Sequence, residues 1–95
     1  MAIYGKYTLL SNASATGSSV QVLRGKYQFH MRGTFGGTTA TLQYSEDNST
    51  WTTLDSLAVF TVAGNVGVYV ADGYVRALVA GGSPSGLYAF LMGLE

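Results

Sequence analysis

The sequence predicts an all-β protein: an antiparallel β-sandwich of about eight short strands, jelly-roll or immunoglobulin-like, with no substantial helix. From Lys26 to Arg32, apolar and polar residues alternate without interruption, and Thr39–Ser45 repeats the alternation. Successive side chains leave a strand on opposite faces, so a period of two indicates a strand with one face buried. Turn signals also recur about every 8–12 residues, a spacing typical of sandwiches and barrels.

The elements follow from this alternation and from the turn residues between them. We predict strands at residues 3–10, 19–24, 26–34, 38–46, 50–54, 57–63, 66–71, 74–80 and 86–94. Glycine, Asx and serine residues mark the breaks, because glycine adopts turn conformations at no steric cost and Asx and serine side chains hydrogen-bond to nearby backbone groups. The predicted breaks are the polar loop at 11–18, a turn or bulge at Gly33 and Gly36-Gly37, the hairpin turn at 46–49, the two-residue turns Gly64-Asn65 and Asp72-Gly73, and the Pro84-containing loop at 81–86.

The last predicted strand is apolar on both faces, from Leu87 to Met92. A strand buried on both sides has this pattern, and so has one whose outer face lies in a subunit interface. We predict that Tyr88, Phe90 and Met92 mediate self-association.

Composition limits the function classes. The chain has 95 residues, which is enough for one domain (1–95), and it has no cysteine. Charged residues make up 11% of the chain and the net charge is zero, against about 25% charged residues in typical globular proteins. A neutral, charge-poor surface favours association with neighbours, and it argues against nucleic-acid or membrane partners.

Residues Met1–Leu10 do not resemble a secretory signal, because Tyr4, Gly5, Lys6 and Tyr7 interrupt any apolar stretch. We therefore expect a soluble protein that is made inside the cell and is not secreted by a signal peptide.

The few charges are segregated along the sequence. Most basic residues lie in the first third and most acidic residues lie later. Lys26, His30 and Arg32 share the polar face of the most regular predicted strand. We predict that this face contacts an acidic patch on a partner or on a second copy.

No catalytic or cofactor-binding constellation accompanies the strands. His30 is the single histidine, no serine lies in a nucleophile-elbow motif, and cysteine is absent. We predict a non-enzymatic protein without metal or cofactor. Trp51 follows the acidic turn, where it could stack on a sugar ring; the competing interpretation is that it caps the core at the hairpin end.

One long segment resembles a pattern in small virion proteins of tailed bacteriophages. Residues 33–51, GTFGGTTATLQYSEDNSTW, are similar to a hairpin of the form G-x-F/W-G-G-x-x-x-T-L-Q-x-S-x-D-x-x-x-W. Tyr74-Val75-Arg76-Ala77, followed by Gly81-Gly82 and a serine-rich break, is similar to the later part of the same pattern. Together these segments cover about half of the chain, and they consist mostly of turn and core residues.

The resemblance implies a structural virion protein, most often a capsid decoration (cement) protein of the β-sandwich type, and it implies no catalytic residues. We expect a virion location, the major capsid protein or other virion proteins as partners, and a homo-oligomer, with a trimer natural on a capsid threefold axis. A tail or baseplate component is the first alternative. The second is a carbohydrate-binding module that uses Trp51.

Overall fold

The computed structural model describes residues 6–94, which form two antiparallel sheets packed face to face. Over these residues, the predicted all-β sandwich with no substantial helix is therefore confirmed. Nine strands follow one another along the chain: β1 Lys6–Ala13, β2 Val20–Val22, β3 Gly25–Thr34, β4 Thr39–Ser45, β5 Thr52–Thr53, β6 Val59–Phe60, β7 Gly64–Val70, β8 Gly73–Ala80 and β9 Ser85–Leu94.

The strand order identifies the topology. The first sheet has the order β1-β9-β3-β7, and the second has the order β2-β8-β4-β5, with β6 also paired to β4. The short strands β5 and β6 both lie along β4, so together they occupy the position of one interrupted strand. With β5 and β6 counted as one strand, each sheet has four strands, and this strand order is that of a jelly roll, which decides between the two predicted topologies.

The core lies between the inner faces of the two sheets. In β3, Tyr27, Phe29 and Met31 are buried, as the alternation predicts. Leu42 of β4 is fully buried in the opposite sheet, and the ring of Phe60 meets Phe29 edge-on, with 5.6 Å between centroids. No buried side-chain polar atom of residues 6–94 lacks a hydrogen-bond partner. Apolar packing therefore dominates the interior.

Two glycine-containing connections pack backbone against backbone at one end of the sandwich. The amide of Ser83 donates to the carbonyl of Gly36 over 2.9 Å. A Cβ on Gly36 would lie 2.2 Å from the Ser83 carbonyl oxygen, and one on Gly82 would lie 2.4 Å from the Thr38 nitrogen. Both glycines have left-handed φ values, +58° and +63°. These positions therefore need glycine for conformation and for space.

Several predicted boundaries were wrong. Residues 3–5 of the first predicted strand lie outside the described residues, and β1 continues to Ala13 into the predicted loop. The rest of that loop is tied to β8, because Thr16 Oγ1 accepts from the Val79 amide over 2.9 Å and the Gly17 amide donates to Ala77 O. Gly64-Asn65 begins β7 instead of forming a turn, because its backbone pairs with Met31 and His30.

Asp72-Gly73 is not a hairpin turn, because the strands before and after it belong to different sheets. The chain crosses from β7 to β8 here, and Tyr44 Oη donates to the Asp72 carbonyl over 2.7 Å. Near this crossing, the Arg24 amide donates to the Asp72 carboxylate, so the β2–β3 and β7–β8 connections support each other. In the part of the chain that the structure describes, no helix is long and apolar enough to cross a membrane.

Candidate functional site: a basic and aromatic sheet face

The outer face of the first sheet gathers both sets of predicted contact residues. Tyr27, Phe29 and Met31 point inward from β3, so the polar residues between them point outward. The register of β3 with β9 pairs His30 with Phe90 and Arg32 with Tyr88. The residues predicted for a partner and those predicted for self-association are therefore cross-strand neighbours.

Strand β9 supplies the apolar part of this face. Leu87, Ala89 and Leu91 are fully buried in the core, so the intervening Tyr88, Phe90 and Met92 face outward. Tyr88 and Phe90 stack with 6.5 Å between centroids. The inward-facing residues of β9 are therefore apolar because they fill the core, whereas its outward-facing residues form an apolar part of the open sheet face.

Cationic groups lie over these rings. The Arg32 guanidinium is 4.1 Å from the Tyr88 centroid, and the Lys6 ammonium is 4.4 Å from the Phe90 centroid. The His30 ring lies 6.4 Å from Phe90. Cation–π contacts at exposed sites are worth about 0.5–1 kcal/mol each. The contacts shield the rings from water and restrict the positions of the charges.

The outer strands extend the face on both sides. Lys6 comes from β1, which pairs with β9, and Tyr69 comes from β7, which pairs with β3. Tyr69 is 77% exposed, and the Lys26 ammonium lies 5.8 Å from its ring centroid. We define the basic–aromatic face as Lys6, Lys26, His30, Arg32, Tyr69, Tyr88, Phe90 and Met92.

This face contains no acidic side chain in the described strands. None of β1, β3, β7 and β9 includes an Asp or Glu. The acidic residues among 6–94 lie in connections instead: Glu46 and Asp47 between β4 and β5, Asp55 between β5 and β6, and Asp72 between β7 and β8. Among the described residues, the carboxylates therefore lie outside the strands that form this face.

Trp51 lies away from this face, beside the outer surface of the second sheet. The Arg76 guanidinium is 4.4 Å from the Trp51 ring centroid, and Arg76 Nε donates to Gln43 Oε1 over 2.7 Å. Val75 and Ala77 are fully buried, so Arg76 points outward from β8. The interpretation that Trp51 caps the core was wrong, because Trp51 is not among the side chains packed against the core and its ring packs on Arg76. The same arginine covers a ring face that a sugar would use.

The turn that precedes Trp51 is organised by one carboxylate. Asp47 Oδ1 accepts from the amides of Thr50 and Ser49, each over 2.9 Å, and from the buried Ser45 hydroxyl over 2.8 Å. The Thr50 amide, then the Ser45 hydroxyl and the Ser49 amide, lower the pKa of Asp47 below its usual 3.8. Asn48 adopts a left-handed φ of +62°, which the turn requires.

We expect Asp47→Asn to reduce stability at neutral pH and to leave it nearly unchanged in strong acid. The folded-state pKa lies below the unfolded value, so the ionised form stabilises the fold above the unfolded pKa, and this contribution is lost as the pH falls through the folded pKa. Urea unfolding of the wild type and the variant between neutral pH and about pH 2 measures the difference. Glu46→Gln, at the exposed neighbouring position, serves as the control. If the difference in stability between the wild type and Asp47→Asn persists unchanged in strong acid, the ionised form of Asp47 is not what stabilises the turn.

The described residues contain no group of three or more His, Cys, Asp or Glu side chains that could hold a metal ion. The cross-strand neighbours of His30 are Phe90 and Asn65, neither of which carries a carboxylate that could orient the imidazole. Comparisons of the chain with protein-family models, curated proteins and solved structures returned no match.

The sequence alone did not assign Lys6 and Tyr69 to the site. Each belongs to a strand whose sheet neighbours cannot be read from alternation. A signal for their role was nevertheless present: each alternates with inward-facing residues, so an outward position could be inferred. The missing information was the strand order, which brings β1 and β7 to the two sides of the β9–β3 pair.

Proposed function

We propose that this protein is a structural component of a tailed-phage virion, most consistent with a capsid decoration protein that binds the outer shell and stabilises it. The single observation that carries the proposal is the basic–aromatic face, an ordered sheet surface of cations and rings with no acidic residue in its described strands. Such a surface is suited to adhesion, because aromatic residues and arginine are enriched in protein–protein interfaces.

Exposed apolar side chains support a role in assembly. Leu57 and Val62 on the connections around β6 are 70% and 69% exposed, and Leu23 between β2 and β3 is 70% exposed. In a chain with so few charges, these side chains favour contact with neighbours. Coverage by adjacent subunits would remove them from water.

The edge formed by β7 also favours contact between copies. This strand pairs with β3 on one side, and no second strand partner is found for it among residues 6–94. Its seven residues, GNVGVYV, contain no charge and no proline, and its register with β3 is regular. Proteins usually protect such edges with charges, prolines or bulges. A homo-oligomer, with a trimer on a threefold axis as the expected form, would cover this edge.

The residues of the phage-like pattern have structural roles that explain their spacing. Gly36 and Gly82 allow two connections to touch, and Asp47 organises the hairpin turn. Gln43 and Trp51 both contact Arg76, so both parts of the pattern meet in one cluster. The jelly roll is common in viral capsid proteins and also in lectins, so it favours the proposal by analogy alone.

The test is to purify particles of the phage whose genome encodes this chain and to count its copies by quantitative mass spectrometry, with cryo-electron microscopy to locate it. A decoration protein is expected in hundreds of copies on the shell. A dozen copies or fewer at the tail would favour the tail or baseplate alternative. Absence from the particle would overturn the proposal.

A further inference from the structure

We propose that the basic–aromatic face binds a carboxylate-rich protein surface, with Arg32, Lys6 and Lys26 as the groups that pair with the carboxylates. This inference rests on the proposed function and specifies the chemistry of the shell surface that the protein would recognise. It also assigns Tyr88, Phe90 and Met92 to the same contact instead of to a separate self-association surface.

The positions of the cations support an acidic partner. Arg32 and Lys6 lie over Tyr88 and Phe90 at 4.1 and 4.4 Å, respectively, and both basic residues are exposed. The rings restrict the rotamers of these basic side chains before a partner binds. Binding therefore loses less side-chain entropy. A guanidinium that packs on a ring keeps N–H groups that can pair with a carboxylate.

A second copy docked symmetrically on this face is disfavoured by charge. A twofold contact would bring the face against itself, and the described strands of the first sheet supply no carboxylate to pair with Lys6, Lys26 or Arg32. Juxtaposed like charges oppose association and reject such a partner. Self-association of this protein would therefore use other surfaces, such as the β7 edge.

A single-stranded nucleic acid is a weaker match to the same residues. Proteins that bind single strands leave aromatic faces free for bases to stack on. Here the Arg32 guanidinium occupies a face of Tyr88, and the Lys6 ammonium occupies a face of Phe90. Bases would have to displace the cations that would neutralise the phosphates.

The experiment compares two anionic probes with the full chain: poly-L-glutamate and oligothymidylate of equal charge, at about 50 mM and about 500 mM salt. We expect measurable binding of poly-L-glutamate that weakens with salt. Arg32→Glu is expected to weaken it at least about tenfold, whereas Arg24→Glu, an equal charge change at an exposed site outside the face, weakens it less than about twofold. Circular dichroism confirms that both variants fold.

Each other outcome overturns the inference. These outcomes are no binding of poly-L-glutamate at low salt, oligothymidylate binding at least about tenfold tighter, equal effects of the two variants, or self-association that Arg32→Glu abolishes. Particle binding separates the two proposals. If Arg32→Glu decorates particles as the wild type does, the inference fails while the proposed function stands. If the chain is absent from particles but its Arg32-dependent glutamate binding persists, the proposed function alone fails.

Discussion

Phe29→Ala is expected to destabilise the protein by about 3–5 kcal/mol. Phe29 is fully buried at the centre of β3, the strand that pairs with both β9 and β7, and its ring packs on Phe60 across the interior. Replacing a buried phenylalanine by alanine costs about 3–5 kcal/mol, because it removes apolar contacts and leaves a cavity. The free energy of unfolding of a small domain is about 5–15 kcal/mol, so this substitution removes a large part of it.

The measurement is urea and thermal unfolding followed by circular dichroism, with a fall in the midpoint of more than about 10 °C expected. Tyr69→Ala on the neighbouring strand is the control, because Tyr69 is 77% exposed. Its cost is expected to stay below about 1 kcal/mol. Similar losses for the two variants would show that the interior is not packed around Phe29 as described.

The second large effect is expected for Gly82→Ala. The glycine has a φ of +63°, and an added Cβ would lie 2.4 Å from the Thr38 nitrogen and 2.6 Å from the Gly36 carbonyl oxygen. A left-handed conformation costs a residue with a Cβ about 1–2 kcal/mol, and forcing atoms into a packed site adds about 1–3 kcal/mol. The two contacting connections would have to separate, so we expect a total loss of about 2–5 kcal/mol.

Gly81→Ala is the matched control. Gly81 has a comparable φ of +75°, but an added Cβ there meets nothing within 4 Å. Its cost is therefore expected to be the conformational part alone, about 1–2 kcal/mol. Chemical denaturation gives the free energy of unfolding of each variant, and the difference between the two variants is the cost of the close approach at Gly82. Equal losses would mean that the two connections do not touch in solution.

Much of the fold could be predicted from the sequence because local alternation reports burial directly. The strand from Lys26 to Arg32 was predicted with its faces correctly assigned, since each side chain there faces either the core or solvent. Gly64-Asn65 was misassigned because the same dipeptide suits a turn or a strand end, and pairing with β3 decides the outcome. Pairing between distant residues is a tertiary property that local composition does not encode.

The candidate site was predicted in parts but not as a unit. Alternation placed Arg32 and Tyr88 each on an outer face, yet nothing local indicated that β3 and β9 would pair. The position of Trp51 could not be predicted either, because its partner Arg76 is supplied by β8. A single tryptophan beside a turn can pack at the edge of the core or against a cation on the surface, and the local sequence does not distinguish the two.

The pairing of β1 with β9 bears on how the chain reaches its native state. β1 has its strand partner at the opposite end of the described chain, with Lys6 opposite Met92. A ribosome must therefore release nearly all of β9 before β1 finds its place, and loop closure over such separations is slow. We expect folding on a timescale of about milliseconds to seconds, as for other all-β domains whose contacts join distant residues. During that interval the unpaired strands remain open to aggregation.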